Sequence, residues 1–239
     1  MKLRSVFVAL GLTCFPGLAW AESASAPAAS SALVLLDEAL DQPNDLVGRF
    51  PPGGGGVFRR FGGGQRISAW TEGGVMELTY GGGYGTAGTG GLFARVVTGG
   101  GKFYHIYVEK LWVPRLSPEW ASAEPFERIV VSLDALVPAG SSLSVSLTPS
   151  VPEKFVPRSR LWGSRIPLGT ISGIGKFERY TLTPRPGAGE EFARLFRDAA
   201  ANGLREPEFS LTFDFTDPAS WRADDAVQLD NLRIEIPAR

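Results

Sequence analysis

Residues 226–236, "AVQLDNLRIEI", close the chain and decide how the rest is read. Val227 and Leu229 put the apolar side chains at odd positions, whereas Leu232, Ile234 and Ile236 put them at even ones. A strand alternates its faces with a period of two, so the apolar phase slips by one residue at Asp230-Asn231, and a β-bulge produces such a slip. The stretch therefore predicts a half-buried strand with a kink in its middle. The Asp-Asn pair re-aims the strand, and it also raises the question of a ligand.

The same period of two recurs upstream. It appears in "GVMELTY" (74–80), "GLFARVV" (91–97), "KFYHIYVEKLW" (102–112), "RIVVSL" (128–133), "SSLSVSLT" (141–148), "FERYTLT" (177–183) and "EFSLTFDF" (208–215). In the last of these Phe209, Leu211, Phe213 and Phe215 share one face, opposite Ser210, Thr212 and Asp214. Gly and Pro clusters such as "PPGGGG" (51–56), "FGGG" (61–64) and "TPRPGAG" (183–189) separate the strands as turns. One helix is predicted, in "GEEFARLFRDAAANG" (189–203). There Phe192, Leu195, Phe196 and Ala199 fall on one face, acids open the first turn and Asn202-Gly203 stops it. Many strands, one helix near 190–202 and no βαβ alternation predict an all-β, two-sheet antiparallel β-sandwich, with the helix covering an open end or edge.

The chain has 239 residues. It begins "MKLRSVFVALGLTCFPGLAWA" (1–21), which has the basic start, apolar core and small-residue cleavage point of a secretory signal peptide. Its apolar run is broken by Gly11, Pro16 and Gly17 and falls short of the ~20 residues a spanning helix needs. Residues 22–31 read as a flexible linker and 32–239 as one β-sandwich domain, periplasmic or secreted, with no membrane anchor after signal cleavage. Cys14 is the one cysteine and leaves with the signal, which excludes disulfides, thiolate catalysis and cysteine zinc sites. Lys2 and Arg4 are two of the 24 basic residues, so the remainder sets 22 against 25 acids and offers no basic footprint for nucleic acid.

"GYGTAG" (83–88) matches the spacing of a dinucleotide loop, but a strand pattern follows it where a helix N-terminus is required, so it reads as a glycine-rich turn. No nucleotide cofactor is expected. His105 is the one histidine, which excludes a histidine metal cluster, and no GxSxG elbow is present. Phe103, His105, Tyr107 and Glu109 share one strand face, and rings with polar tips in a row suit a sugar, whose CH faces stack and whose hydroxyls need partners. The alternative is a strand face covered by loops or by the helix. Glu109, Asp134, Glu178 and Asp214 are acids that a glycoside hydrolase or lyase would need paired across a cleft, but no run places two of them on one groove, and no catalytic residue is assigned. Trp120, Trp162 and Trp221 lie in loop-like contexts, as lids over the core or as stacking platforms.

"LVLLDEAL" (33–40), "GGYGTAGTGGLF" (82–93), "YHIYVEKL" (104–111) and "VQLDNLRI" (227–234) together resemble the galactose-binding-like jelly roll of bacterial carbohydrate-binding modules. The resemblance spans nearly all of the expected folded part. It departs from the family at "LDEAL", which lacks the usual aromatic, and in carrying the extra helix. It implies glycan binding without covalent chemistry. It also implies a structural calcium between the first and last strands, with Asp37 or Glu38 and Asp230 as ligands and backbone oxygens completing the six to eight that calcium takes. Against that stands the simpler reading that Asp230 pairs with a backbone amide or an arginine at the bulge. The expected role is exported, non-catalytic carbohydrate binding by His105, Tyr107, Glu109 and Phe103. The alternatives are a carbohydrate-active enzyme on a related sandwich or a structural or adhesive envelope protein.

Overall fold

A computed structural model describes residues 32–40, 46–61, 64–81, 83–86, 90–98, 101–112, 122–217 and 221–239. The expected signal peptide and linker, and Trp120, lie outside these residues, as do the side chains of Trp112 and Trp162.

The described residues form two antiparallel sheets packed face to face. The strands are β1 (Leu33–Glu38), β2 (Leu46–Phe50), β3 (Gly55–Arg60), β4 (Arg66–Glu72), β5 (Val75–Tyr80), β6 (Leu92–Thr98), β7 (Phe103–Trp112), β8 (Val130–Leu136), β9 (Ser142–Ser150), β10 (Ile166–Ser172), β11 (Phe177–Leu182), β12 (Glu208–Phe215) and β13 (Ala226–Ile236). The first sheet runs β11-β8-β13-β6-β5-β2, with β1 also on β13, and the second runs β10-β9-β12-β7-β4-β3. The chain crosses repeatedly between the two sheets, as expected of the two-sheet sandwich that the alternating pattern predicts and of the jelly roll that the resemblance implies. Four of these strands were not predicted: β2, β3, β4 and β10.

The phase slip in β13 is a bulge. The register against β8 jumps between Asp230 and Arg233, and Asn231 takes φ 48°, a left-handed conformation that Asn tolerates better than most residues. Before the bulge Val227 and Leu229 are buried; after it Leu232, Ile234 and Ile236 are. The bulge also marks a change of partner, because residues 226–229 pair with β6 and residues 232–236 pair with β1.

The predicted helix is α3 (Glu190–Ala201), preceded by the shorter α1 (Glu124–Glu127) and α2 (Arg158–Gly163). It stops as expected at Gly203, φ 95°, where the Leu204 N–H donates to Ala199 O at 2.9 Å. Phe192, Leu195, Phe196 and Ala199 are fully buried. The rings of Phe192 and Phe196 meet Phe126 of α1 at 4.9 and 5.7 Å, and Phe192 meets the inward Phe209 of β12 at 6.1 Å. The helix thus seals the end of the core that Phe209 marks, with rings in edge and stacked contacts. Truncating Phe196 to Ala removes a ring from this four-Phe cluster, and the expected loss of unfolding free energy is about 3–5 kcal/mol, read from urea denaturation.

Candidate glycan-binding face

Strands β4, β7, β12 and β9 each turn one side into the core. Ile67 and Ala69, Tyr104, Ile106 and Val108, Phe209, Leu211, Phe213 and Phe215, and Leu143, Val145 and Leu147 are all buried there. The alternate residues therefore point to the outer side of the second sheet, and these include all four of the expected site residues, Phe103, His105, Tyr107 and Glu109. Register then brings in partners from other strands. Trp70, His105, Asp214 and Ser144 form one cross-strand row, Ser68, Tyr107, Thr212 and Ser146 the next, and Arg66 stands opposite Glu109.

Two rings on this face are open to solvent, Trp70 at 42% and Phe103 at 48% exposure. Trp70 lies down against β3 because its neighbour there is glycine. A Cβ added to Gly55 would stand 2.7 Å from Trp70 Cε3 and 2.6 Å from Ala69 O, so any other residue would lift the indole. Phe103 stacks on His105 with centroids 5.5 Å apart and planes at 17°, and His105 in turn is 5.7 Å from Tyr107.

Beneath the rings the polar groups are tied together. His105 Nδ1 hydrogen-bonds Asp214 Oδ1, and Arg165 Nη1 donates to Asp214 Oδ2 at 2.9 Å. Arg66 Nε donates to Glu109 Oε2. These contacts fix His105 and Glu109 in place. Among the described residues the Tyr107 hydroxyl and His105 Nε2 have no hydrogen-bond partner. The buried Ser146 hydroxyl has none either, although a polar atom removed from water is costly to leave unbonded. The Tyr107 phenol is pushed up to about 12, by burial first and by the Asp214 charge second, opposed by Arg165 and reinforced by Glu109. It therefore keeps its proton and can donate a hydrogen bond to a ligand at any physiological pH.

Sequence alternation revealed the β7 half of this face and missed the other half. Trp70, Arg66, Asp214 in its bond to His105, and Arg165 join it only through register. The one available signal was "RISAWTE" (66–72), whose Arg66, Ser68, Trp70 and Glu72 alternate with small or short residues. The other acids weighed for catalysis lie elsewhere: Asp134 is on β8 and Glu178 on β11, both in the first sheet. Trp221 is a core residue, 1% exposed, tilted on Phe215 at 4.4 Å with its Nε1–H donating to Thr216 O.

The three residues implied as calcium ligands are engaged separately. Asp37 pairs with Arg233 across β1 and β13, and Glu38 Oε1 accepts from the Leu40 N–H at 3.3 Å. Asp230 turns to residues 83–86, where its Oδ2 accepts from Thr86 N and Thr86 Oγ1, each at 2.8 Å, while its Oδ1 accepts from Asn231 N. Gly85 is required there, since a Cβ on it would meet Asp230 Oδ2 at 2.8 Å. Asp37 and Glu38 line a cavity of about 460 Å³ together with Asp134, Arg179, Asn231 and Arg233. Asp134 Oδ2 is taken by Asn231 Nδ2 at 2.7 Å and by Arg179 at 3.4 Å. Two guanidinium groups, Arg179 and Arg233, are paired with two of its three acids, Asp134 and Asp37, and among the described residues no three His, Cys, Asp or Glu side chains gather for a metal. The donor set does not fit a divalent cation, and the backbone-amide reading of Asp230 describes the geometry.

Two outcomes are expected. Asp230→Ala, which strips three hydrogen bonds from the buried bulge, should lower unfolding free energy by about 3 kcal/mol in urea titration, whereas a chelator should leave the midpoint unchanged. For Tyr107 the folded value lies above the unfolded value of 10.0, so its contribution to stability is complete below pH 10 and lost as pH rises toward about 12. Melting midpoints followed from pH 9 upward should fall less for Tyr107→Phe than for the parent.

No family model and no curated protein matches the chain. Its structure is similar to the CBM22-1 xylan-binding domain from Paenibacillus barcinonensis Xyn10C, at 12% identity and TM-score 0.43 over 89% of this chain and 100% of that one. It is similar to a family 30 carbohydrate-binding module, at 12% identity and TM-score 0.44 over 86% and 90%. It is also similar to the family 11 carbohydrate-binding module from Clostridium thermocellum in complex with a beta-1,3-1,4-mixed-linked tetrasaccharide, at 9% identity and TM-score 0.38 over 86% and 96%.

Proposed function

We propose that the protein is an exported carbohydrate-binding β-sandwich that holds a glycan on the outer face of its second sheet without cleaving it. The observation that carries this reading is the pairing of two half-exposed rings, Trp70 and Phe103, with the unpartnered Tyr107 hydroxyl and His105 Nε2 on one sheet face. Stacking on pyranose CH faces and hydrogen bonds to hydroxyls are the two contacts a sugar needs, and this face offers both. Binding is in the micromolar to millimolar range, about 4–8 kcal/mol.

The absence of cleavage rests on the acids of the face. Glu109 is committed to Arg66, and Asp214 to Arg165 and His105, so neither is placed as the proton donor that glycoside hydrolysis requires. Export rests on residues 1–21 and their signal-peptide pattern, and places the protein in the periplasm or outside the cell.

The test is a panel of soluble polysaccharides in affinity gel electrophoresis, with isothermal titration for any polymer that retards the protein. Trp70→Ala should weaken binding by about 2 kcal/mol, as loss of a central aromatic anchor does. Reducing ends should not accumulate in overnight incubations with the retarding polymer. Retardation that Trp70→Ala and Phe103→Ala both leave intact would remove this face from consideration.

A further inference from the structure

The strands of the second sheet carry charged residues on their outer side, and the structure pairs all but one of them. Arg66 pairs with Glu109, Glu72 with Lys102, Glu208 with Lys110, and Asp214 with Arg165. Arg60 at the end of β3 is exposed and makes no ion pair among the described residues. Its direction is set by a bulge between Val57 and Arg59. Past the bulge, Arg59 turns inward and lies over the Tyr80 ring at 4.1 Å, so Arg60 turns outward.

Arg60 stands directly opposite Arg66 in the β3–β4 register. Like charges in opposite positions on antiparallel strands repel, and Glu109 neutralises only one of the two. The face therefore ends in a surplus guanidinium beside a partly used one, a fork that matches a carboxylate or sulfate group. Arg66 and Trp70 are four residues apart on β4, so this charge lies ~13 Å along the strand from the indole. Ser68 and Tyr107 occupy the interval.

Resting on the glycan-binding reading of this face, we infer that its ligand is an acidic glycan lying along β4 and β7. The CH face of one sugar ring stacks at Trp70 and Phe103, and a carboxylate or sulfate substituent farther along the chain is received between Arg60 and Arg66. An exposed arginine on an edge strand also discourages edge-to-edge pairing, a role that leaves glycan affinity untouched. That difference makes the two roles separable.

The experiment uses polygalacturonate and the same polymer after carboxyl reduction to the neutral galactan, with a sulfated galactan and its desulfated form as a second arm. The parent, Arg60→Gln and Trp70→Ala are compared by affinity gel electrophoresis after their melting midpoints show that each is folded. The parent should bind an acidic polymer at least tenfold tighter than its neutral twin, about 1.4 kcal/mol. The arm that shows the preference identifies carboxylate or sulfate as the group received. Arg60→Gln should erase the preference without changing affinity for the neutral twin, whereas Trp70→Ala should weaken both. Equal binding of the acidic and neutral polymers by the parent, or a preference that survives Arg60→Gln, overturns the acidic-glycan inference and leaves glycan binding standing. Failure of the parent to bind any of the four polymers or any of the wider panel overturns both.

Discussion

The carboxylate of Asp230, buried at the bulge of β13, is the contact on which the first sheet depends. β13 runs through the middle of that sheet, where it must pair with β6 over one half, β1 over the other and β8 along both while keeping apolar residues inward. The extra residue at Asp230-Asn231 solves this by shifting the strand and reversing its parity. A bulge exposes backbone groups that the ladder no longer satisfies, and Asp230 accepts the Asn231 N–H itself. Its second oxygen reaches out of the sheet to Thr86, so the carboxylate that stabilises the kink also pins the glycine-rich segment. Only Gly at position 85 lets that segment approach closely enough.

The second sheet works on the opposite principle. Its inner side is apolar but for Thr71, whose hydroxyl is satisfied by Pro51 O and Gly74 O, and this leaves the outer side free to carry rings and ion pairs without weakening the core. Those pairs matter less for stability than for order. An exposed ion pair contributes little to folding, yet the chain from Arg165 through Asp214 to His105 holds an imidazole in one orientation. The Phe103 ring then rests on a fixed surface. A ligand meeting groups already held in place loses less entropy on binding.

Much of this was readable from residue alternation and some of it was not. β6, β7, β8, β9, β11, β12 and β13 announce themselves because branched and aromatic residues alternate with polar ones. β3 and β10 do not, because Gly55 and Gly56 in one and Pro167 and Gly169 in the other are residues that normally argue against a strand. Both are edge strands, where missing side chains and a missing N–H are tolerated. β4 hides for a different reason, since Ile67 is its one large inward apolar residue and Ala69 and Thr71 are too small or too polar to mark a buried face. The site followed the same division. Its β7 row is local in sequence and was legible, whereas the approach of Trp70, Asp214 and Arg165 to His105 depends on register between distant strands. A resemblance carries over residue types without their partners, and of the acids it implies for calcium Asp37 is held by Arg233 and Asp230 by the Thr86 amide.

The position of β13 has a consequence for when the protein can fold. The strand that joins β1, β6 and β8 into one sheet follows all of them in chain order. Until residues 226–236 are available, β1 lacks its partner and the β5–β6 hairpin has nothing to join it to β8. Contacts between such distant segments form slowly because the long intervening loops must close first. The first sheet can therefore assemble only after residues 226–236 have been made.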